Sequence, residues 1–202
     1  TLKDGSKKKY KKSITVIDVA RDISEGFARN VLSASFNGKT VEVSTHLNES
    51  GSLELYSWND YEGKKAFWHS SAHLLAQALK EFYTDIKLTI GPAISNGFYY
   101  DVDFGKHAMS EKDFHKIEKR MIEIAREKHQ FKLRSISKKS ALEYYSSIGN
   151  EYKVELITNL DDGEITFCDH DDFTDLCRGG HIPHTGYIKA VKLMSVAGAY
   201  WR

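Results

Sequence analysis

The chain has 202 residues, 41% of them hydrophobic and 28% charged, with 29 Lys and Arg against 28 Asp and Glu and a formal net charge of +1. A chain of this length holds one large domain or two small ones and buries about 70% of its unfolded surface, so it needs no covalent staples. Two cysteines are too few for a disulfide framework, no apolar stretch approaches the ~20 residues that cross a bilayer, and no signal-peptide core is present, so the expected setting is reducing and cytoplasmic, with no membrane partner.

The neutral total conceals segregation. Residues 1–12 carry a net +5, residues 106–139 a net +6 and residues 161–175 a net −7. Such runs read either as solvated faces or as segments that meet a polyanion, and composition does not choose between them.

In chain order, Asp4-Gly5 reads as a hairpin-type turn, residues 13–17 as a β-branched strand, and residues 18–29 as a helix with Val19, Ile23 and Phe27 at helical spacing. Asn37-Gly38 is a second tight turn, flanked by Leu32/Phe36 and Val41/Val43, and residues 53–56 alternate as a closing strand. Residues 59–65, polar and containing Gly63, mark a boundary, which gives expected domains of 1–62 and 63–202. Beyond it, residues 67–83 carry Ala72, Leu75, Ala76 and Leu79 on one helical stripe. Ser110, with Asp113 three positions on, reads as the capping box of a second helix over 110–128, stabilised by Phe114, Ile117, Met121 and Ile124. A third helix over 141–148 is closed by Gly149. Residues 152–157 and 164–168 alternate about Asp162-Gly163 and read as a hairpin, and residues 187–196 as another strand. The fold class is α+β: a small strand-rich module, then a larger domain of helices and antiparallel sheet.

Chemistry concentrates in four places. His69 and His73 stand four apart on the predicted helix, so both imidazoles share a face one turn apart. Ser70 occupies the position where a metalloprotease helix would carry glutamate. Cys177 and His181 flank Gly179-Gly180, with Asp175 just before them, and a turn without side chains lets a ligand approach backbone N–H groups. Each pair alone is compatible with buried structural residues, whereas His69, His73, Cys177 and His181 together make the N/S inventory that zinc prefers. The run from Gly91 to Asp101, with Phe98, Tyr99 and Tyr100, suggests either a pocket rim with stacking surfaces or an ordinary core hairpin. Lys153, on the predicted strand, carries no intrinsic mark of function.

Four strings stand in one order: HSSAHLLAQA from His69, GPAISNGFYYD from Gly91, DLCRGGH from Asp175 and AGAYWR at the end. In this the chain resembles the N-terminal portion of the threonyl-tRNA synthetases. The first 60 residues or so, opening TLKDG, resemble the TGS domain of that family, a ubiquitin-like β-grasp module, and the rest resembles its editing domain, related to that of alanyl-tRNA synthetases. The resemblance implies hydrolysis of the ester in seryl-tRNA(Thr), a correction that is needed because one missing methyl is worth only about 1–3 kcal/mol to a synthetic site sized for threonine.

Carried onto matching positions, it makes His73 and Lys153 the catalytic pair that orients or deprotonates water and holds the oxyanion. It gives His69 and His181 to the terminal ribose hydroxyls, Asp175 and Cys177 to the pocket around the seryl group, and adds Tyr100 to the cleft. Gly180 stands where the family pattern has proline, and glycine there is expected to loosen the turn that aims His181. The alanyl-type domains place zinc on the equivalents of His69, His73, Cys177 and His181; the threonyl-type domains are expected to use water and no metal. The family continues past residue 202 into a catalytic core, with its ATP and zinc sites, and an anticodon-binding domain. The chain is therefore expected to be a fragment that does not charge tRNA, with the tRNA acceptor end and the rest of a homodimeric synthetase as partners. The rival readings are a non-catalytic tRNA-binding module with a structural zinc, and a zinc hydrolase of another substrate.

Overall fold

The computed structural model of the chain describes residues 1–10, 13–198 and 200–201. Lys11 and Lys12 of the first basic run, and Ala199 and Arg202 of the final motif, lie outside the described residues.

A short strand, β1 (Ile14–Thr15), runs directly into helix α1 (Val16–Ile23), because the Thr15 side chain accepts from the Asp18 N–H and caps the helix. The single helix expected over 18–29 divides at Ser24, whose extended backbone ends α1 and whose hydroxyl caps α2 (Glu25–Ala28) through the Phe27 N–H. Strands β2 (Ser33–Phe36) and β3 (Lys39–Val41) turn on Asn37-Gly38 at φ +50° and +76°, the left-handed pair that a two-residue hairpin requires. Strand β4 (His46–Leu47) pairs with β1, and β5 (Leu53–Tyr56) lies on the other side of β2. Val16, Val19, Ala20, Val31, Ala34, Val43 and Leu53 form the core between helix and sheet.

Helix α3 (Tyr61–Phe82) begins earlier than the apolar stripe suggested, and the boundary expected at 62/63 falls inside its first turn. The Asp60 carboxylate sits at the cap and accepts from the Ser57 N–H at 2.8 Å and hydroxyl at 3.1 Å. Every residue of α3 from Ser70 to Leu79 is buried. This makes α3 the axis of a second core, shared with Ile117, Met121 and Ile124 of α4 (Phe114–Glu127). A 3₁₀ turn (Glu111–Asp113) leads into α4, and the Asp113 carboxylate accepts from the Ser110 N–H at 2.9 Å, as the sequence predicts. Between α3 and α4 run two small ladders, β6 (Lys87–Leu88) with β9 (Val102–Asp103) and β7 (Ala93–Ile94) with β8 (Gly97–Phe98).

Strands β10 (Lys132–Ser135), β11 (Thr166–His170) and β12 (Phe173–Leu176) form an antiparallel sheet in that order. Helices α5 (Lys138–Ser147) and α6 (Glu151–Thr158) contribute Ala141, Tyr145 and Ile157 to a third core with Ile165 and Phe167.

Two further sequence expectations fail. Residues 152–157 are not a strand: the Asn150 side chain accepts from the Lys153 N–H at 3.1 Å and starts α6, on which Lys153 and Ile157, four apart, are buried together. Residues 187–196 form no strand either; a 3₁₀ turn (Thr185–Tyr187) is followed by chain held by side chains, with the Leu193 N–H donating to Glu118 at 2.8 Å. Among the described residues no helix is long and apolar enough to cross a membrane.

Candidate functional site

Helix α3 presents His69 and His73 one turn apart toward the segment after β12, and their Nε2 atoms lie 3.1 Å from each other. That segment turns on Gly179 and Gly180, both in the left-handed region at φ +90° and +84°, which brings the Gly179 N–H to 3.3 Å from the Cys177 sulfur. The turn carries His181 back over Cys177, Nε2 to Sγ 3.2 Å, while His69 Nε2 lies 3.0 Å from the same sulfur. Phe131 stacks on the His181 ring at 5.0 Å and 9°, and the Ile182 N–H donates to Ser70 on α3 at 3.0 Å, so the turn is pinned to the helix. The small hydroxyl at position 70 thus serves this junction.

Burial alone would raise the Cys177 thiol, but His181 outweighs it and holds the thiol well below its usual range. His181 moves oppositely: burial pulls it down, yet Cys177, Cys168 and Glu42 hold it well above an ordinary histidine. Burial keeps the His73 ring neutral, and its Nδ1 has no hydrogen-bond partner.

The second group lies across the same strand end. Asp175 and Cys177 are two apart, and the Cys177 N–H donates to the Thr166 carbonyl at 3.0 Å, which extends the β12 ladder and puts both side chains on one face. Lys153 Nζ lies 2.6 Å from Asp175 Oδ1, with side chains 3% and 5% exposed, a buried ion pair delivered by α6. The Tyr100 hydroxyl donates to the other Asp175 oxygen, and Tyr145 donates at 3.3 Å. Burial first, then the Asp175 charge, raises both phenols, so each stays a protonated donor. Gly91 is required here because a Cβ would enter the Tyr100 ring.

The seven site residues predicted from the sequence are thus brought in by α3, α6, β12 and the turn after it, and the segment between β8 and β9 that carries Tyr100, with Lys153 on a helix instead of a strand. Tyr99, on the suspected stacking rim, is exposed, while Tyr100 points inward. The glycine at 180 does not leave the turn slack: its N–H donates to Glu42 at 2.9 Å. Sequence reasoning missed Tyr145, Phe131, His170 and Glu42. Only Tyr145 left a trace, four residues from Ala141 on a helical face. The donor atoms of His69, His73, Cys177 and His181 lie within 4.8 Å of one another, so the set fits zinc by ligand type and proximity, and nothing further in the site favours an ion.

The family model described as TGS domain matches residues 1–57, and that described as "Threonyl and Alanyl tRNA synthetase second additional domain" matches residues 165–199, which include Asp175, Cys177 and His181. Over 202 residues the chain is 65% identical to the threonine–tRNA ligases of Flavobacterium psychrophilum and Flavobacterium johnsoniae and 54% identical to that of Cytophaga hutchinsonii. Each match covers 100% of this chain and 31% of the relative, so the chain spans about a third of the length of those ligases. The α1–sheet unit accords with the β-grasp fold of TGS domains. From its TGS unit to the second additional domain, the chain belongs with the N-terminal region of the threonyl-tRNA synthetases.

Proposed function

We propose that this site proofreads the product of a threonine–tRNA ligase, by hydrolysing the ester of serine wrongly attached to tRNA(Thr). The observation that carries the reading is that a neutral imidazole with an unpartnered nitrogen, His73, and a buried ammonium, Lys153, are tied to one end of β12, Lys153 through Asp175 and His73 through His69 to Cys177. His73 takes the proton of the attacking water, whose oxygen bonds to the ester carbon; Lys153, aimed by Asp175, Tyr100 and Tyr145, faces the developing oxyanion. The bond from that carbon to the ribose oxygen breaks, and the ribose oxygen takes the proton that His73 received from the water, which returns His73 to its neutral form. His69 and His181 hold the ribose hydroxyls, and Asp175 and Cys177 close the pocket around the seryl group.

The partner is then the acceptor end of tRNA, presented with the remainder of a synthetase chain that dimerises in the cytoplasm, and the reaction uses water and no metal. Elemental analysis of protein purified without added zinc tests the last point, and stoichiometric zinc overturns it.

The discriminating assay presents seryl- and threonyl-tRNA(Thr) to the purified chain at high concentration and follows ester loss. Selective hydrolysis of the seryl ester is expected, with Lys153→Ala and His73→Ala each at least about tenfold slower. Binding without hydrolysis would favour a non-catalytic module, and near-wild-type rates in both variants would remove the two residues from the chemistry.

A further inference from the structure

We propose that Glu42, in the N-terminal unit, is a positioning residue for the site of the second unit, fixing the orientation of the His181 ring and the seat of the Gly179-Gly180 turn. Glu42 follows β3, and its side chain, only 12% exposed, reaches across the junction. Its Oε1 accepts from the Gly180 N–H at 2.9 Å and lies 3.0 Å from His181 Nδ1, and its Oε2 accepts from the His181 N–H at 3.3 Å. A carboxylate only accepts, so Nδ1–H is held as a donor to Glu42, and the ring is thereby turned with Nε2 to the Cys177 sulfur. This is the relation by which an outer carboxylate orients a working histidine.

The alternative partner for Nδ1 is the Cys168 sulfur at 3.7 Å, a weak acceptor. Packing reinforces the bond: a Cβ on Gly179 would meet Glu42 Oε1 at 3.2 Å and Leu133 at 3.0 Å, and one on Gly180 would meet Thr40 at 3.3 Å. The turn is seated on the rim of the N-terminal unit, and removing the carboxylate orphans two backbone donors beside a fully buried ring.

The inference deepens the ester-hydrolysis reading, in which His181 holds substrate, and its test separates the two. Single-turnover deacylation of seryl-tRNA(Thr) by the 202-residue chain is compared with that of Glu42→Gln and Glu42→Asp, while long-range ¹H–¹⁵N spectra report the ring nitrogens of His181. Glu42→Gln is expected to lower the rate constant at saturation about tenfold with little change in half-saturating concentration, and to shift the His181 ring nitrogens; Glu42→Asp, which keeps the charge, is expected to stay within about threefold. An unchanged His181 spectrum and rate in Glu42→Gln, even with a lower melting temperature, would overturn the proposal. If the unsubstituted chain leaves seryl-tRNA intact, it is the ester-hydrolysis reading that fails, and the His181 spectrum alone then decides the role of Glu42.

Discussion

His170 ends β11 only 1% exposed, and neither of its ring nitrogens has a partner. Around it stand the rings of Phe131 at 4.9 Å, Phe173 at 5.0 Å and His73 at 6.1 Å. Burial, and then the nearby His181, pulls its pKa from 6.5 to about 2. Below pH 6.5 the unfolded chain binds a proton that the folded chain refuses. The stability is therefore full above the unfolded value and falls as pH drops toward the folded one, by up to about 1.4 kcal/mol per pH unit. His170→Phe removes this titration, and urea unfolding should show a fall between pH 7 and pH 5 that is smaller by about 2 kcal/mol than in the unsubstituted chain. An equally steep fall would mean that His170 is protonated inside the fold. The same burial that makes His170 an acid liability keeps His73 neutral, as a proton acceptor must be.

At the scale of elements, α3 shows what sequence pattern reveals and where it stops. Its apolar stripe and the His69–His73 spacing were legible because both follow from the helical repeat. Its start was not, because residues 61–65 fall in the polar stretch that reads as a boundary, and the Asp60 carboxylate binds Ser57 instead of the first turn of the helix. Gly63 lies against the Ser57 carbonyl, which a Cβ would penetrate. Gly63→Ala gains about 0.5–1 kcal/mol of helix propensity and loses about 1–3 kcal/mol to overpacking against backbone, so a net drop in melting temperature is expected. A rise would place Ser57 elsewhere. Helix α6 was misread because Tyr152, Val154 and Leu156 alternate as a strand does, and only the Asn150 cap and the pairing of Lys153 with Ile157 identify the helix. The ion pair of Lys153 with Asp175 and the bond from Glu42 to His181 join residues far apart in the chain, so no local pattern announces either; family likeness supplied Lys153 and nothing supplied Glu42.

Over the whole molecule, the segregated charges of the sequence recombine in space. Strand β10, from the basic run, pairs with β11, from the acidic run, and Arg134 meets Asp169 at 2.5 Å. Lys153 neutralises Asp175, Arg120 binds Glu81 at 2.5 Å, and Lys116 binds Asp113 at 2.7 Å. The three exposed pairs, Arg134–Asp169, Arg120–Glu81 and Lys116–Asp113, contribute about 0–1 kcal/mol each, yet they remove charge from any polyanion-facing surface. Binding of tRNA to this chain should therefore depend weakly on salt, with a slope of log K against log [salt] shallower than about −3 between 50 and 200 mM by fluorescence anisotropy. A slope near −6 would show the basic run engaging phosphates. The junction at Glu42 and Gly180 also bears on how the two units are joined. A proline at 180 has no N–H to offer and holds φ near −65°, so it cannot occupy a turn that stands at +84°. Gly180 thus carries a backbone donor that ties the two units together, and exchanging it for proline should weaken the hold of the N-terminal unit on the turn that bears His181.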